Sequence, residues 1–327
     1  MIAFLIRRLG WFVLTTLTVI TVSFFLMRSV RGGPFDGERK MSAAIEQNIN
    51  AKYHLDWPLW KQYLQYLGPL NLDERGWLEG GDGSKPWGGV MTGDLGPSFK
   101  LRDYTVNDII AQSLPISALL GMVAMAFALA LGISAGLVSA LRPRSGLDLA
   151  MRLAATAGIA LPNFVIASFL IILFVFLVPL LPVAGWGSLK HMILPGFALG
   201  APFAAYIARL TRTGMLEVLS QDHIRTAVAK GLPRRLVILR HALKGGLLPV
   251  VSYLGPATAS ILTGSLVIER IFRIPGTGSH FVNSALNRDY TLAMGVTILY
   301  TVLVYGMNTI VDLAYTFLDP RIKIDEA

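Results

Sequence analysis

The chain combines a length of 327 residues with an apolar composition, since 54% of its residues are hydrophobic and only 15% are charged. A soluble domain of this length carries about 25% charged residues, so the composition excludes an ordinary soluble protein and favours one covered by lipid. The net charge is +9, but the basic residues lie at the ends of apolar runs instead of forming one patch, so no nucleic-acid partner is expected.

The first apolar run, Leu9 to Met27, follows the basic pair Arg7 and Arg8. It is longer than the roughly 7 to 15 apolar residues of a signal peptide, and no small-residue cleavage site follows it. We therefore predict that residues 1–29 form an N-terminal region and a retained first transmembrane helix, with the arginines in the cytoplasm.

Residues 30–113 are predicted to form a long external loop that contains amphipathic helices. Leu59, Trp60, Tyr63 and Leu64 share one helical face, which fits either a helix lying on the bilayer or one packed on the bundle. The turn-rich stretch at 80–93, within the glycine-rich region 68–93, predicts a flexible excursion. Thr105 and Asp108 have the spacing of a capping box and predict the start of a helix that leads into the second span.

Five further apolar runs approach or exceed the roughly 20 residues that cross a bilayer as a helix. The predicted fold is therefore an all-α integral membrane protein with six transmembrane helices. Residues 114–318 form a five-helix core, and residues 319–327 form a cytoplasmic tail. The five runs are Leu114 to Leu141, Leu153 to Leu181, Met192 to Ala208, Gly245 to Ile268 and Tyr290 to Val311.

The distribution of basic residues predicts the orientation of the spans. The connections at 142–152 and 209–244 are strongly basic, and short basic loops stay in the cytoplasm. Both chain termini are then cytoplasmic, and the protein is predicted to be a multi-pass protein of the cell inner (plasma) membrane.

The second basic connection contains a short predicted helix with clear end signals. Ser220 or Asp222 can cap its start, Lys230 favours its end, Gly231 can take a left-handed conformation and Pro233 cannot continue the helix. A helix of about two turns is too short to be stable alone in water. It must either dock on a partner or rest on the ends of the spans.

The stretch IRTAVAKG at 224–231, followed by RHALK and LLP, resembles the cytoplasmic signature of ABC importer permeases in its peptide-permease version. The general pattern begins Glu-Ala-Ala where this chain has Arg225, Thr226 and Ala227, and this departure resembles the peptide subfamily. The resemblance implies a coupling helix that seats on the ATP-hydrolysing subunit. The matching residues are Arg225, Thr226, Ala227, Lys230, Gly231 and Leu232.

The resemblance covers nearly the whole chain, including GDLGPSFKLRDYTVNDII, IPGTGSHFVNSALNRDY and VDLAYTFLDPRIK. It is closest to the first membrane subunit of oligopeptide importers in the oligopeptide, dipeptide and nickel permease family. It implies a pore-forming subunit that works with a second homologous permease subunit, two ABC ATPase subunits at the cytoplasmic loop, an extracytoplasmic solute-binding protein and membrane lipid. Oligopeptides are the expected substrate, with dipeptides, nickel complexes and other small solutes as alternatives.

Several chemistries have no basis in this sequence. No GxxxxGK[ST] phosphate loop occurs, so the chain is expected to bind no cofactor itself, while its partners use ATP-Mg. The lack of cysteine excludes a thiol nucleophile and cysteine-ligated zinc, and we expect no enzymatic activity and no metal site.

Two functions of other classes are less well supported. The GxSxG match at 132–136 could indicate an intramembrane hydrolase, but no histidine lies within a predicted span to act as a base. The same glycines form a GxxxG pattern, which is typical of helix packing. An ion-coupled secondary transporter would need inverted repeats with broken helices, and the sequence contains no convincing repeat.

Overall fold

The computed structural model of the chain describes residues 2–29, 55–68, 89–101, 103–264 and 266–318. Within these ranges the regular secondary structure is helical, apart from an isolated bridge between Pro97 and Thr105. The prediction of an all-α protein is therefore confirmed. Helices suit a chain with such apolar segments, because each satisfies its own backbone hydrogen bonds in lipid.

The helices are numbered here in chain order, and two of them contain a π-helical stretch, at Ile172–Leu177 and at Val237–Ala242. They are α1 (Ile2–Ser29), α2 (Leu59–Leu67), α3 (Val106–Leu141), α4 (Gly146–Ala160), α5 (Asn163–Leu177), α6 (Leu189–Leu219), α7 (Asp222–Ala229), α8 (Arg234–Gly246), α9 (Leu248–Gly264), α10 (Leu266–Ile271), α11 (Thr277–Asn287) and α12 (Tyr290–Leu318).

Four of the described helices are long and apolar enough to cross a membrane as single segments, in α1, α3, α6 and α12. Two bent pairs, α4 with α5 and α8 with α9, pass the same test when each is taken together. The described part of the chain thus has four spans, or six if each bent pair counts as one. The predicted number of six spans is reached only if each bent pair is counted as one span.

The predicted span from Leu153 to Leu181 is not one straight helix, because it is broken at Pro162. The chain bends by 108° between α4 and α5. Leu161 adopts an extended conformation with φ −84° and ψ 128°, as expected for a residue that precedes a proline. Pro162 cannot donate a backbone hydrogen bond, so the helix ends there and a new one begins at Asn163.

The described residues form two compact units, and the larger consists of Pro115–Ser279 with residues near both chain ends. In this unit α6 is central and contacts α4, α5, α8 and α9. Gly132 and Gly136 of α3 face α6, where a Cβ on Gly136 would lie 2.6 Å from Thr211 Cβ. The GxxxG pattern therefore serves close helix packing, while Ser134 between the glycines is exposed.

The second unit consists of Leu5–Leu114 and His280–Val302. Here the amphipathic helix α2 packs on α1 through Tyr63 and Tyr66, while Leu59 and Trp60 of its predicted apolar face are exposed. Phe24 and Tyr66 are almost completely buried, and the Tyr63 ring meets the Phe24 ring edge to face at 5.2 Å. Arg28 Nε donates a 2.9 Å hydrogen bond to Gln62 Oε1.

The buried carboxylate of Asp289 organises another part of the second unit. It accepts hydrogen bonds from the Ser98 hydroxyl and from the backbone N–H groups of Phe99 and Leu292. These bonds tie the segment before α3 to the start of α12. The predicted capping box at the start of α3 is also present, since Thr105 and Asp108 each accept a 3.1 Å bond from the other's backbone N–H.

Candidate coupling surface

The N-cap residue of helix α7 lies between the two residues that were predicted to cap it. Gln221 occupies the N-cap with an extended backbone, and no side chain caps the helix there. The prediction that Ser220 or Asp222 provides the cap is therefore wrong. Ser220 Oγ instead donates a 2.7 Å hydrogen bond to Glu217 O at the end of α6. Asp222 lies in the first turn of α7, where its negative charge interacts favourably with the helix dipole.

The end of α7 has the predicted left-handed turn. Gly231 has φ +77°, and its N–H donates a 2.9 Å hydrogen bond to Val228 O. A Cβ at this position would meet nothing within 4 Å, so the backbone conformation alone favours glycine. Pro233 follows with φ −61° and starts α8. These two residues set the direction in which the chain leaves α7.

The inner face of α7 rests on the helical bundle through apolar contacts. Ile224 and Ala227 are 4% and 7% exposed and belong to a buried cluster with Met215, Val218 and Val237. Leu232, just past the helix, is partly buried against the same cluster. Two of the six predicted coupling residues, Ala227 and Leu232, therefore hold the helix in place and do not face outward.

The other four predicted coupling residues are exposed. We use the name coupling surface for the exposed outer side of α7 and its C-terminal turn. Arg225 forms a 3.5 Å ion pair with Asp222 on this surface, but both side chains are mostly exposed, so the pair adds little stability. The coupling surface consists of Asp222, His223, Arg225, Thr226, Val228, Ala229, Lys230 and Gly231.

The start of the predicted cytoplasmic loop at 209–244 needs correction. Residues 209–219 continue α6 without a break, so the irregular connection begins only at Ser220. The helix can continue past its basic residues because Arg212 finds a carboxylate on a neighbouring helix. Arg212 Nε and Nη2 donate hydrogen bonds of 2.8 and 3.0 Å to the two carboxylate oxygens of Asp148.

Asp148 is 1% exposed and is not among the functional residues predicted from the sequence. Its carboxylate also accepts hydrogen bonds from the Ser139 hydroxyl at the end of α3 and from the Arg144 N–H in the following turn. Asp148 is itself part of the start of α4, because its N–H donates to Ser145 Oγ. The spacing of Ser145 and Asp148 matches a capping box, and this spacing could have indicated that Asp148 lies at the start of a helix. This carboxylate joins α3, α4 and α6.

Within the described ranges, no three histidine or acidic side chains lie close enough together to hold a metal ion. The candidate site is thus a surface made of charge and apolar packing on a short helix. A set of apolar helices with such a short exposed helix packed on it defines a membrane-embedded protein with a polar surface on one connection.

Comparison with known proteins agrees with this class. Residues 128–324 match the family model of the binding-protein-dependent transport system inner membrane component. The oligopeptide transport system permease protein OppB of Escherichia coli (strain K12) is 46% identical over 99% of this chain and 100% of its own length. The dipeptide transport system permease protein DppB of Bacillus subtilis (strain 168) is 44% identical over 99% of both chains.

A solved structure of the MetNI methionine ABC transporter in an inward-facing conformation has a similar fold. It matches 64% of this chain and 96% of its own chain with a TM-score of 0.55 and 16% identity. The chain therefore belongs to the family of binding-protein-dependent transport system inner membrane components. It is a multi-pass inner-membrane transport subunit, not an enzyme, and the family implies ATPase and binding-protein partners.

Proposed function

We propose that this chain forms one half of the translocation pore of an ATP-driven peptide importer and that α7 couples the pore to the ATPase. The other half is a homologous but non-identical permease subunit, and two ATPase subunits attach on the cytoplasmic side. The similarity to an oligopeptide permease and a dipeptide permease supports peptides as the substrate class. The high identity to both leaves oligopeptides and dipeptides as the two substrates to compare.

The observation that carries the coupling role is the division of α7 into two faces. Ile224 and Ala227 fix the helix on the bundle, while Arg225 and Lys230 lie exposed on the outer side. A helix of eight residues has no stability of its own, so the bundle must position it before a partner binds. A partner that moves α7 therefore also moves α6 and α8, which supply the apolar cluster beneath it.

The mechanism follows from this connection. ATP binding closes the ATPase pair and draws the two coupling surfaces together, which opens the pore toward the external binding protein. Hydrolysis then returns the pore to an inward-open state. In this scheme the chain binds no ATP, both chain termini are cytoplasmic, and the basic coupling surface faces acidic groups of the ATPase.

The substrate assignment is tested with the complete complex in proteoliposomes. Uptake of a radiolabelled dipeptide and a radiolabelled pentapeptide is measured with ATP inside, in the presence of the binding protein. Peptide uptake that depends on ATP and on the binding protein is expected. Uptake of nickel complexes with no peptide uptake would overturn the substrate class, and uptake driven by an ion gradient without ATP would overturn the mechanism.

A further inference from the structure

A cavity of about 570 Å³ lies between α3, α4 and α6, close to Asp148. Its wall contains three arginines, Arg152 on α4 and Arg209 and Arg212 on α6. We name it the arginine cavity. We propose that the arginine cavity binds one anionic phospholipid, with the phosphate between Arg152 and Arg209 and the acyl chains along α4.

The charges around the cavity do not balance. Asp148 is the carboxylate that pairs with Arg212, and its Oδ1 also lies 3.6 Å from Arg152 Nε. Within the described residues no carboxylate pairs with Arg209, whose guanidinium lies 5.2 Å from the centre of the Tyr206 ring. The cavity wall thus carries three guanidinium groups, and one neighbouring carboxylate pairs with two of them. The excess of two positive charges fits a phosphate, which guanidinium groups bind through paired N–H donors.

The remaining wall of the cavity suits a hydrocarbon chain. Leu149, Leu153 and Ile159 line it along one side of α4, and they are 50%, 61% and 43% exposed. Ala135 and Gly136 on α3 also line the cavity. Apolar side chains with this exposure favour an apolar cover.

An anionic phospholipid matches both parts of the cavity wall, because its phosphate suits the arginines and its acyl chains suit the apolar side chains. Arginines at the end of an apolar span lie near the level of the lipid headgroups, and basic pockets between membrane helices bind anionic headgroups. A protein occupant would need a carboxylate and an apolar side chain placed together at the same depth. The lipid explanation needs only molecules that the membrane supplies, and it holds whichever solute the complex carries.

The test uses the complete transporter complex purified in mild detergent. Native mass spectrometry measures the binding of added phosphatidylglycerol, with phosphatidylcholine and inorganic phosphate as comparison ligands at equal concentration. Phosphatidylglycerol should bind to the complex and phosphatidylcholine should bind much more weakly. Arg152→Gln and Arg209→Gln should each weaken phosphatidylglycerol binding by about fivefold, and the double variant by about 25-fold.

Arg235→Gln is the matched control, because Arg235 is an exposed arginine on α8 outside the cavity wall. It should leave lipid binding unchanged. Neither Arg152 nor Arg209 donates to Asp148 within hydrogen-bond distance, so both variants should fold. Equal binding by the double variant, equal affinity for phosphatidylcholine, or displacement of the lipid by equimolar inorganic phosphate would each overturn the proposal.

Discussion

Arg212 donates two parallel hydrogen bonds to the carboxylate of Asp148, although the two residues are 64 positions apart in the chain. The pair joins the start of α4 to α6, seven residues before α6 ends. Because α7 follows directly after α6, the pair also fixes the support of the coupling surface.

We expect loss of either partner to lower the unfolding temperature of the complex by several degrees, because each substitution leaves a charge without its partner. The variants are Asp148→Asn, Arg212→Gln and the exchange Asp148→Arg with Arg212→Asp. Thermal unfolding followed by size-exclusion chromatography measures the effect. The exchange variant should recover part of the loss, and a double variant Asp148→Asn with Arg212→Gln that loses the full sum of both single effects would show that the pair does not interact.

Gly231→Val should impair coupling without loss of the membrane protein. A valine in the left-handed conformation costs about 1 to 2 kcal/mol, which is enough to redirect a short helix but not to unfold the bundle. Membrane abundance, co-purification of the ATPase and peptide uptake measure the effect. Gly231→Asn should retain more function, because asparagine tolerates this conformation better.

Gly146→Val is the control for Gly231→Val. A Cβ at Gly146 also meets nothing within 4 Å, but its backbone is not left-handed. It should leave ATPase co-purification unchanged. If Gly231→Val supports normal uptake at normal abundance, the left-handed turn has no role in coupling.

Arg225→Glu should weaken ATPase binding about fivefold, because it reverses one exposed charge of the coupling surface. The effect should decrease as salt is raised, since salt screens exposed charges. Dissociation of the ATPase from the purified complex at two ionic strengths measures this. Arg273→Glu makes the same charge change at an exposed residue between the last two predicted spans, on the side opposite to the cytoplasmic connections, and it should have no effect. A similar loss in both variants would argue against a specific basic contact.

The topology prediction can be tested with single cysteines, because the chain has none of its own. Cysteines at Arg144 and Arg234 should react with a membrane-impermeant thiol reagent only after the membrane is opened. A cysteine at Tyr104, which is 48% exposed, should react in intact spheroplasts. The opposite pattern would invert the proposed orientation.

Gly136→Ile should destabilise the packing of α3 on α6 by about 1 to 3 kcal/mol, because a side chain there would overlap Thr211 and the α6 backbone. Ser134→Ile places the same side chain two residues away on an exposed position of α3 and should be tolerated. Detergent stability of the two variants gives the comparison. Ser134→Ala should retain full peptide uptake, whereas loss of a hydrolytic activity in this variant would support a catalytic serine.

The local features of α7 were predictable because they depend on neighbouring residues. A short run between Gln221 and Pro233, with Gly231 at the turn, allows few alternatives to a two-turn helix. A proline at 162 allows a kink or a break, but the 108° bend there was harder to predict, because prolines also occur within membrane helices that continue past them.

The contacts of Asp148 could not be predicted from spacing. Its partners come from α3, the following turn and α6, and only the folded bundle brings them together. The same dependence explains the incorrect start of the predicted loop at 209. Arg209 and Arg212 suggested a water-exposed connection, but α6 continues through both, and Arg212 pairs with a carboxylate on another helix.

The contacts beneath α7 determine what kind of motion it can pass on. Within the described part of the chain, the side-chain polar bonds of α7 lie inside the helix itself, between Asp222 and Arg225 and between Thr226 and Asp222. Its attachment to the bundle is apolar, through Ile224 and Ala227. Apolar contact has no preferred direction, so a small rotation of α7 on the cluster beneath it breaks no side-chain hydrogen bond or ion pair to the bundle. This apolar attachment therefore transmits a displacement of α7 by the partner to the membrane helices, but little of a rotation of α7 about its own axis.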